Sequence, residues 1–96
     1  MILDRAVVRF APDVLLKVVD QEALLLKLQS EEAFALNATG ARIAQLIEEQ
    51  LPLDRLIGTV SREYDVPREE IQRDIIDLVD ALTAKGLVVS AAEASA

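Results

Sequence analysis

The strongest constraint on the fold is a single change of hydrophobic period near residue 37. Before this point, apolar residues occur in short runs that are separated by polar turns, as in β-strands. After it, apolar residues recur at intervals of three and four, as in amphipathic helices. A chain of 96 residues holds one core of ordinary size. We therefore expect a single domain over residues 1–96, with a small sheet followed by a helical half.

Three apolar runs in the first part predict three strands, at Val14–Val19, Ala23–Leu28 and Ala33–Leu36. The polar connections between them are short, so consecutive strands must be antiparallel. Residues 1–12 are interpreted as an extended lead-in and residues 90–96 as a tail, and we expect both to be flexible.

Three helices are predicted after residue 37. Asn37 suits the cap of a first helix over about residues 38–49. A second helix is expected from Leu53 to about Tyr64, and a third from Pro67, which suits a first helical position. The apolar stripe of this third helix comprises Ile71, Ile75, Leu78, Val79 and Leu82, and Gly86 fits the left-handed position that follows a helix. The prediction is an α+β, winged-helix-like fold, in which an N-terminal three-stranded antiparallel sheet precedes three helices.

The residue inventory favours binding over catalysis. The chain contains no Cys and no His, which removes thiol chemistry, the usual soft metal ligands and the commonest general base. Acidic residues of the third helix spread around its polar half instead of converging on one point. We therefore expect no catalytic residues, no metal site and no cofactor, and a small enzyme is the least favoured class.

The charge balance argues against two classes of partner. Seventeen acidic and ten basic residues give a net charge of −7, which opposes binding to nucleic acid or to an anionic membrane surface. No apolar run approaches the roughly 18 residues that a membrane span needs, and the N-terminus does not resemble a signal peptide. The cytoplasm is the expected location.

Two features of the predicted fold point to a binding groove. The third strand is short, and one of its faces carries only Ala33 and Ala35, which leave little bulk to block an incoming strand. Ile76 lies about 120° from the apolar stripe of the third helix and can line a groove beside this strand. Scattered surface hydrophobicity is the alternative explanation for Ile76.

The chain resembles the PqqD family of small proteins and domains, also called RiPP recognition elements. The similarity rests on FALNATGARI at residues 34–43, on EYDVP at residues 63–67, and on the pattern of the third helix. That pattern comprises Asp74, Ile75, Leu78, Val79, Leu82, Gly86, Leu87 and Val88. Together these segments span about residues 12–89 in the family's order and spacing.

The resemblance implies a non-catalytic protein that binds the leader of a ribosomally synthesised precursor peptide. The leader would add as an antiparallel strand to the third strand and would lie between that strand and the third helix. Pairing would use the backbone of Ala33, Phe34, Ala35 and Leu36, and the helix side of the groove would comprise Ile75, Ile76, Val79 and Thr83. The implied partners are the precursor peptide and a separate modifying enzyme, such as a radical-SAM protein.

Two departures leave the pathway open between pyrroloquinoline quinone and another peptide product. Members from quinone synthesis carry a Trp in the first strand region, whereas this chain has no Trp. Pro52 stands where many members have a Thr helix cap. The alternative function is that of a winged-helix-like regulatory domain that binds DNA or a protein, and the net charge opposes the DNA-binding version.

Overall fold

The computed structural model describes residues 6–92, and these form five strands and three helices. The strands are β1 (Ala6–Phe10), β2 (Val14–Val19), β3 (Glu22–Lys27), β4 (Glu32–Leu36) and β5 (Val88–Ala92). The helices are α1 (Ala38–Glu48), α2 (Leu53–Tyr64) and α3 (Arg68–Ala84). The α+β prediction is confirmed, and each predicted strand and helix is present within one or two residues of its expected bounds.

Strands β2, β3 and β4 form the predicted antiparallel sheet, in that order. Its alternation is visible in the middle strand, where Ala23 and Leu25 are buried and Leu24 is exposed. In the adjacent strand β4, Phe34 and Leu36 pack against the same core. One face of the sheet therefore covers the helices, and the other face points away from them.

A second sheet joins the two ends of the described chain. Strand β1 pairs antiparallel with β5, with Phe10 opposite Val88 and Ala6 opposite Ala92. Val8 and Val88 are buried in the common core. This corrects the prediction of a flexible lead-in and tail for residues 6–10 and 90–92, which form strands. Residues 1–5 and 93–96 of those two predicted segments lie outside the described residues.

The helix ends follow local chemistry. The Asn37 side chain accepts a hydrogen bond from the backbone N–H of Gly40 (2.9 Å), as expected of an N-cap. Gly86 follows α3 with a φ of +74°, which confirms the left-handed position predicted for it. Pro67 differs from its prediction by one residue, because it occupies the N-cap and α3 begins at Arg68.

The α3 stripe is buried with one exception. Ile71, Ile75, Val79 and Leu82 belong to the core, whereas Leu78 is only half-buried and packs at the edge of that core. Among residues 6–92, no helix is long and apolar enough to cross a membrane. The same part of the chain contains no group of three or more residues with the side chains to hold a metal ion.

We expect Ile75→Ala to lower the free energy of unfolding by about 2–5 kcal/mol, because it removes a fully buried side chain and leaves a cavity. This is a large share of the roughly 5–15 kcal/mol that stabilises a domain. Urea denaturation would measure the loss. Leu78→Ala is the control, and an equal loss in the two variants would contradict this account of the core.

Candidate functional site

Strand β4 is an edge of its sheet. Among the described strands it pairs only with β3, so one side of its backbone has no strand partner. Ala33 and Ala35 are both exposed along it. An edge of this kind presents N–H and C=O groups to which another chain can pair.

The hydrogen-bond pattern identifies which residues of β4 face the free side. Opposite residues in an antiparallel ladder alternate between pairs that exchange hydrogen bonds and pairs that do not. The backbone N–H of Leu28 donates to the carbonyl of Asp13 (2.9 Å), which fixes the phase of this alternation between β2 and β3. Leu24 and Leu26 therefore bond toward β2, and the residues between them bond toward β4.

Applying the same alternation to β4 gives its orientation. Phe34 is opposite Leu25 and uses its backbone groups toward β3. Ala33 and Ala35 are opposite Leu26 and Leu24, so their N–H and C=O groups point to the free edge. Two consecutive ladder positions, each with a methyl side chain, are thus open to an incoming strand.

A groove of about 440 Å³ lies between β4 and α3, and the start of α1 closes one end. Its lining residues are Ala35, Leu36, Asn37, Thr39, Gly40, Ile43, Asp74 and Leu78. The apolar part of this lining comes from all three elements, and Asp74 supplies a carboxylate at the rim. Leu78 is only half-buried because its side chain borders this groove and not the interior of the core.

Close packing at Gly40 shapes the closed end. A Cβ added to Gly40 would lie 3.3 Å from both the Leu36 Cβ and the Asn37 Oδ1 atoms. This residue is buried, and its missing side chain lets α1 begin directly against the end of β4. The strand-to-helix segment at residues 34–43, on which the family resemblance partly rests, therefore forms the corner of the groove.

A cation lies beside the middle of β4. The Lys85 ammonium is 5.5 Å from the centroid of the half-buried Phe34 ring, within the range of a cation–π contact. The edge of β4 therefore runs from a positive charge near Phe34 to a negative charge at Asp74. A peptide along this edge would pass both charges.

The four helix residues predicted for the groove occupy two different environments. Ile75 and Val79 are 0% and 2% exposed and belong to the core. Ile76 is half-buried and Thr83 is exposed, with its hydroxyl donating to the carbonyl of Val79 (2.7 Å). At 100° per residue, Ile76 lies about 160° around α3 from Leu78. Neither Ile76 nor Thr83 lines the groove, since the opposite flank of the helix faces β4.

The groove residues that the sequence did not indicate are mainly Asp74, Leu78 and the first turn of α1. Leu78 was assigned to the core because it follows the apolar period of α3. A signal was present, because Leu78 lies at one margin of that stripe and is neighboured there by Asp74 and Lys85. Periodicity alone does not say which margin of a helix faces a strand edge.

A second concavity, of about 340 Å³, lies on the other flank of α1. Arg42 in its wall makes two hydrogen bonds to the Glu63 carboxylate (2.8 and 2.7 Å), which link α1 to α2. Hydrogen bonding from Arg42 holds the pKa of Glu63 below its usual 4.5. The guanidinium is thus engaged in joining two helices, and the β4 groove is the better candidate for a functional site.

Comparison with known proteins gives a family and two related structures. The model for "Coenzyme PQQ synthesis protein D (PqqD)" matches residues 22–88. The structure of TbiB1 in complex with the TbiA(beta) leader peptide is 34% identical, with a TM-score of 0.80 over 83% of this chain and 93% of that one. Lasso peptide synthetase B1 complexed with the leader peptide is 29% identical, with a TM-score of 0.78 over 85% and 96% of the two chains. No curated protein sequence matches this chain.

The Arg42–Glu63 pair predicts a pH-dependent contribution to stability. Because the folded-state pKa of Glu63 is depressed, this contribution is present above pH 4.5 and is lost as the pH falls through the lowered pKa. We expect Glu63→Gln to be less stable than the parent at about pH 7 and to approach it at about pH 3, with a small difference because the pair is partly exposed. Urea midpoints at the two pH values measure this, and a difference that does not change with pH would contradict it.

Proposed function

Because the chain belongs to the PqqD family, we propose that it binds the leader of a ribosomally synthesised precursor peptide and presents that peptide to a separate modifying enzyme. Two structures that this chain is similar to are both complexes with a leader peptide. The proposed role contains no chemical step of its own. Because the precursor is made on the ribosome, we propose the cytoplasm as the location of this role.

The observation that carries the proposal is the open edge of β4 beside an apolar groove. Ala33 and Ala35 offer outward N–H and C=O groups, to which a peptide can pair as an added antiparallel strand. Backbone pairing of this kind supplies affinity without regard to sequence. Side chains that enter the groove supply the selectivity.

The groove determines which peptide side chains it accepts. Alternate residues of an added strand point to the same side as Phe34 and Leu36, which is the side facing α3. There they meet Leu36, Ile43 and Leu78, so apolar side chains fit best. The remaining residues of the peptide point to the opposite face of the sheet.

For the site itself we propose the backbone of Ala33, Phe34, Ala35 and Leu36 as the pairing strand. On the helix side we propose Leu78 and Asp74 as the groove contacts. Ile75 and Val79 support the groove from within the core, where a peptide does not reach them. This replaces the resemblance-based choice of Ile76 and Thr83, because those residues lie on the other flank of α3.

The regulatory alternative is less well supported. A DNA-binding domain needs a positively charged surface, and the chain has a net charge of −7. Helix α3, the expected recognition helix, carries five carboxylates and two arginines in its 17 residues. A peptide-modifying enzyme, for example a radical-SAM protein, is the partner that the proposed function requires.

We expect Ala35→Pro to weaken leader binding at least tenfold, because proline removes an N–H that faces the free edge and disrupts pairing there. The bonds from β4 to β3 remain, so the melting temperature should change little. Phe34→Pro is the matched control, since it removes an N–H that bonds to β3 and should mainly lower stability. Calorimetric titration with a leader peptide that the parent binds tests this, and equally tight binding by Ala35→Pro would refute strand addition at β4.

The helix side is tested by a pair of substitutions at half-buried residues of α3. Leu78→Asp places a charge in the apolar groove and should cost on the order of 2 kcal/mol of binding, about thirtyfold. Ile76→Asp, on the opposite flank, should bind the leader as the parent does. Titrations and thermal melts of both variants decide the question. If Ile76→Asp weakens leader binding more than Leu78→Asp does, the peptide contacts Ile76 and this assignment of the groove is wrong.

A further inference from the structure

The face of the β2–β3–β4 sheet that points away from the helices is unusually apolar. Eight side chains point to it from the three strands, and two of these are polar, Lys17 and Glu22. The other six are Leu15, Val19, Leu24, Leu26, Ala33 and Ala35. We call these eight residues the outer face.

The register brings the apolar residues together in rows across the sheet. Leu15, Leu26 and Ala33 form one row, and Leu24 lies between Lys17 and Ala35 in the next. Leu15 is 52% exposed, Val19 51% and Leu24 36%. The solvent side of an antiparallel sheet normally carries polar residues at these positions. A contiguous exposed apolar patch instead is typical of a surface that another protein covers.

Size and charge distinguish between the possible occupants. Three strands about 4.8 Å apart and about five residues long give a face of a few hundred Å². A stable interface buries roughly 800 Å² on each partner, so this face alone is too small to hold two copies together. Exposed acidic residues lie at both ends of the face, Asp20 and Glu22 at one end and Glu31 and Glu32 at the other. A second copy would bring these acidic ends together on two chains of charge −7 each. A partner with basic residues around an apolar centre fits better.

The outer face is also continuous with the bound peptide. A strand added to β4 extends the same sheet, so alternate peptide residues would project beside Ala33 and Ala35 on this face. Any protein that covers the outer face therefore lies next to the peptide. Contact with the peptide adds to the area that this protein buries on the outer face. An enzyme that acts on the peptide is the partner that would use this arrangement.

We propose that the outer face docks the peptide-modifying enzyme, through an apolar surface of that enzyme flanked by basic residues. This inference rests on the proposed function for the identity of the partner. It adds the surface that the partner uses, which is separate from the groove between β4 and α3.

Lysine substitutions test the outer face with a matched control. Leu24→Lys and Val19→Lys each place a cation on it, whereas Val89→Lys makes the same change of charge at a valine of equal exposure in the β1–β5 sheet (50% against 51% for Val19). The probe is a purified peptide-modifying enzyme from the genome that encodes this chain. Its affinity for each variant is measured by biolayer interferometry, and the leader affinity of each variant is measured separately by calorimetry.

The expected result is a loss of enzyme affinity of at least tenfold for Leu24→Lys and Val19→Lys, with parent-like affinity for Val89→Lys. Enzyme binding to the parent should also weaken as salt concentration rises. Enzyme affinity that is unchanged in both outer-face variants, or absent in the parent, would overturn the inference. So would a parent dimer, seen by sedimentation equilibrium, that the outer-face variants dissociate.

The two measurements separate this inference from the proposed function. If the outer-face variants bind the leader normally but lose the enzyme, both proposals are supported. If the parent fails to bind the leader while the enzyme still distinguishes the outer-face variants from Val89→Lys, the peptide proposal fails and the docking surface stands.

Discussion

Burial of α3 in the common core holds the rest of the functional surface in place. Ile75 and Val79 fix the helix against the interior, so its flank carrying Leu78 stays at a constant distance from β4. Near the end of α3, the Lys27 ammonium donates to the Gly86 carbonyl (3.1 Å) and pairs with Asp13 (3.3 Å), which links the sheet to the turn that follows the helix. The width of the groove is thus set by packing inside the core, below the groove surface. Because the edge is already ordered before binding, the loss of conformational entropy on binding comes mainly from the peptide.

The small side chains of β4 give this edge two roles at once. Ala33 and Ala35 expose the ladder groups toward an incoming strand, and their methyl groups also belong to the apolar outer face. Larger residues here would bring more apolar area to the face and would crowd the side chains of a neighbouring strand. An unprotected edge is a liability for aggregation, and natural sheets usually block it. Its presence in a chain of net charge −7 is tolerable because charge repulsion opposes edge-to-edge pairing between copies.

Local periodicity was sufficient to predict the three-stranded sheet and the three helices. Strand alternation and helical stripes are properties of neighbouring residues, as are the Asn37 cap and the Gly86 terminus. The β1–β5 pairing could not be obtained in this way, because Ala6 and Ala92 are brought together by the fold and share no local pattern. The β4 edge was predicted from its alanines. The helix side of the groove was not, because both flanks of the α3 stripe carry an apolar residue, Leu78 on one and Ile76 on the other. Only the tertiary position of β4 distinguishes them.

The pairing of β1 with β5 also determines how this domain can be joined to other proteins. Because Ala6 and Ala92 are opposite each other in an antiparallel ladder, the chain enters and leaves the described domain at points about 5 Å apart. Adjacent ends of this kind allow a domain to be inserted into a surface loop of a host with little distortion of that host. A genetic fusion that placed this domain within a loop of an unrelated enzyme would therefore need only short linkers on each side. It would give that enzyme a peptide-recruiting module without interrupting either core.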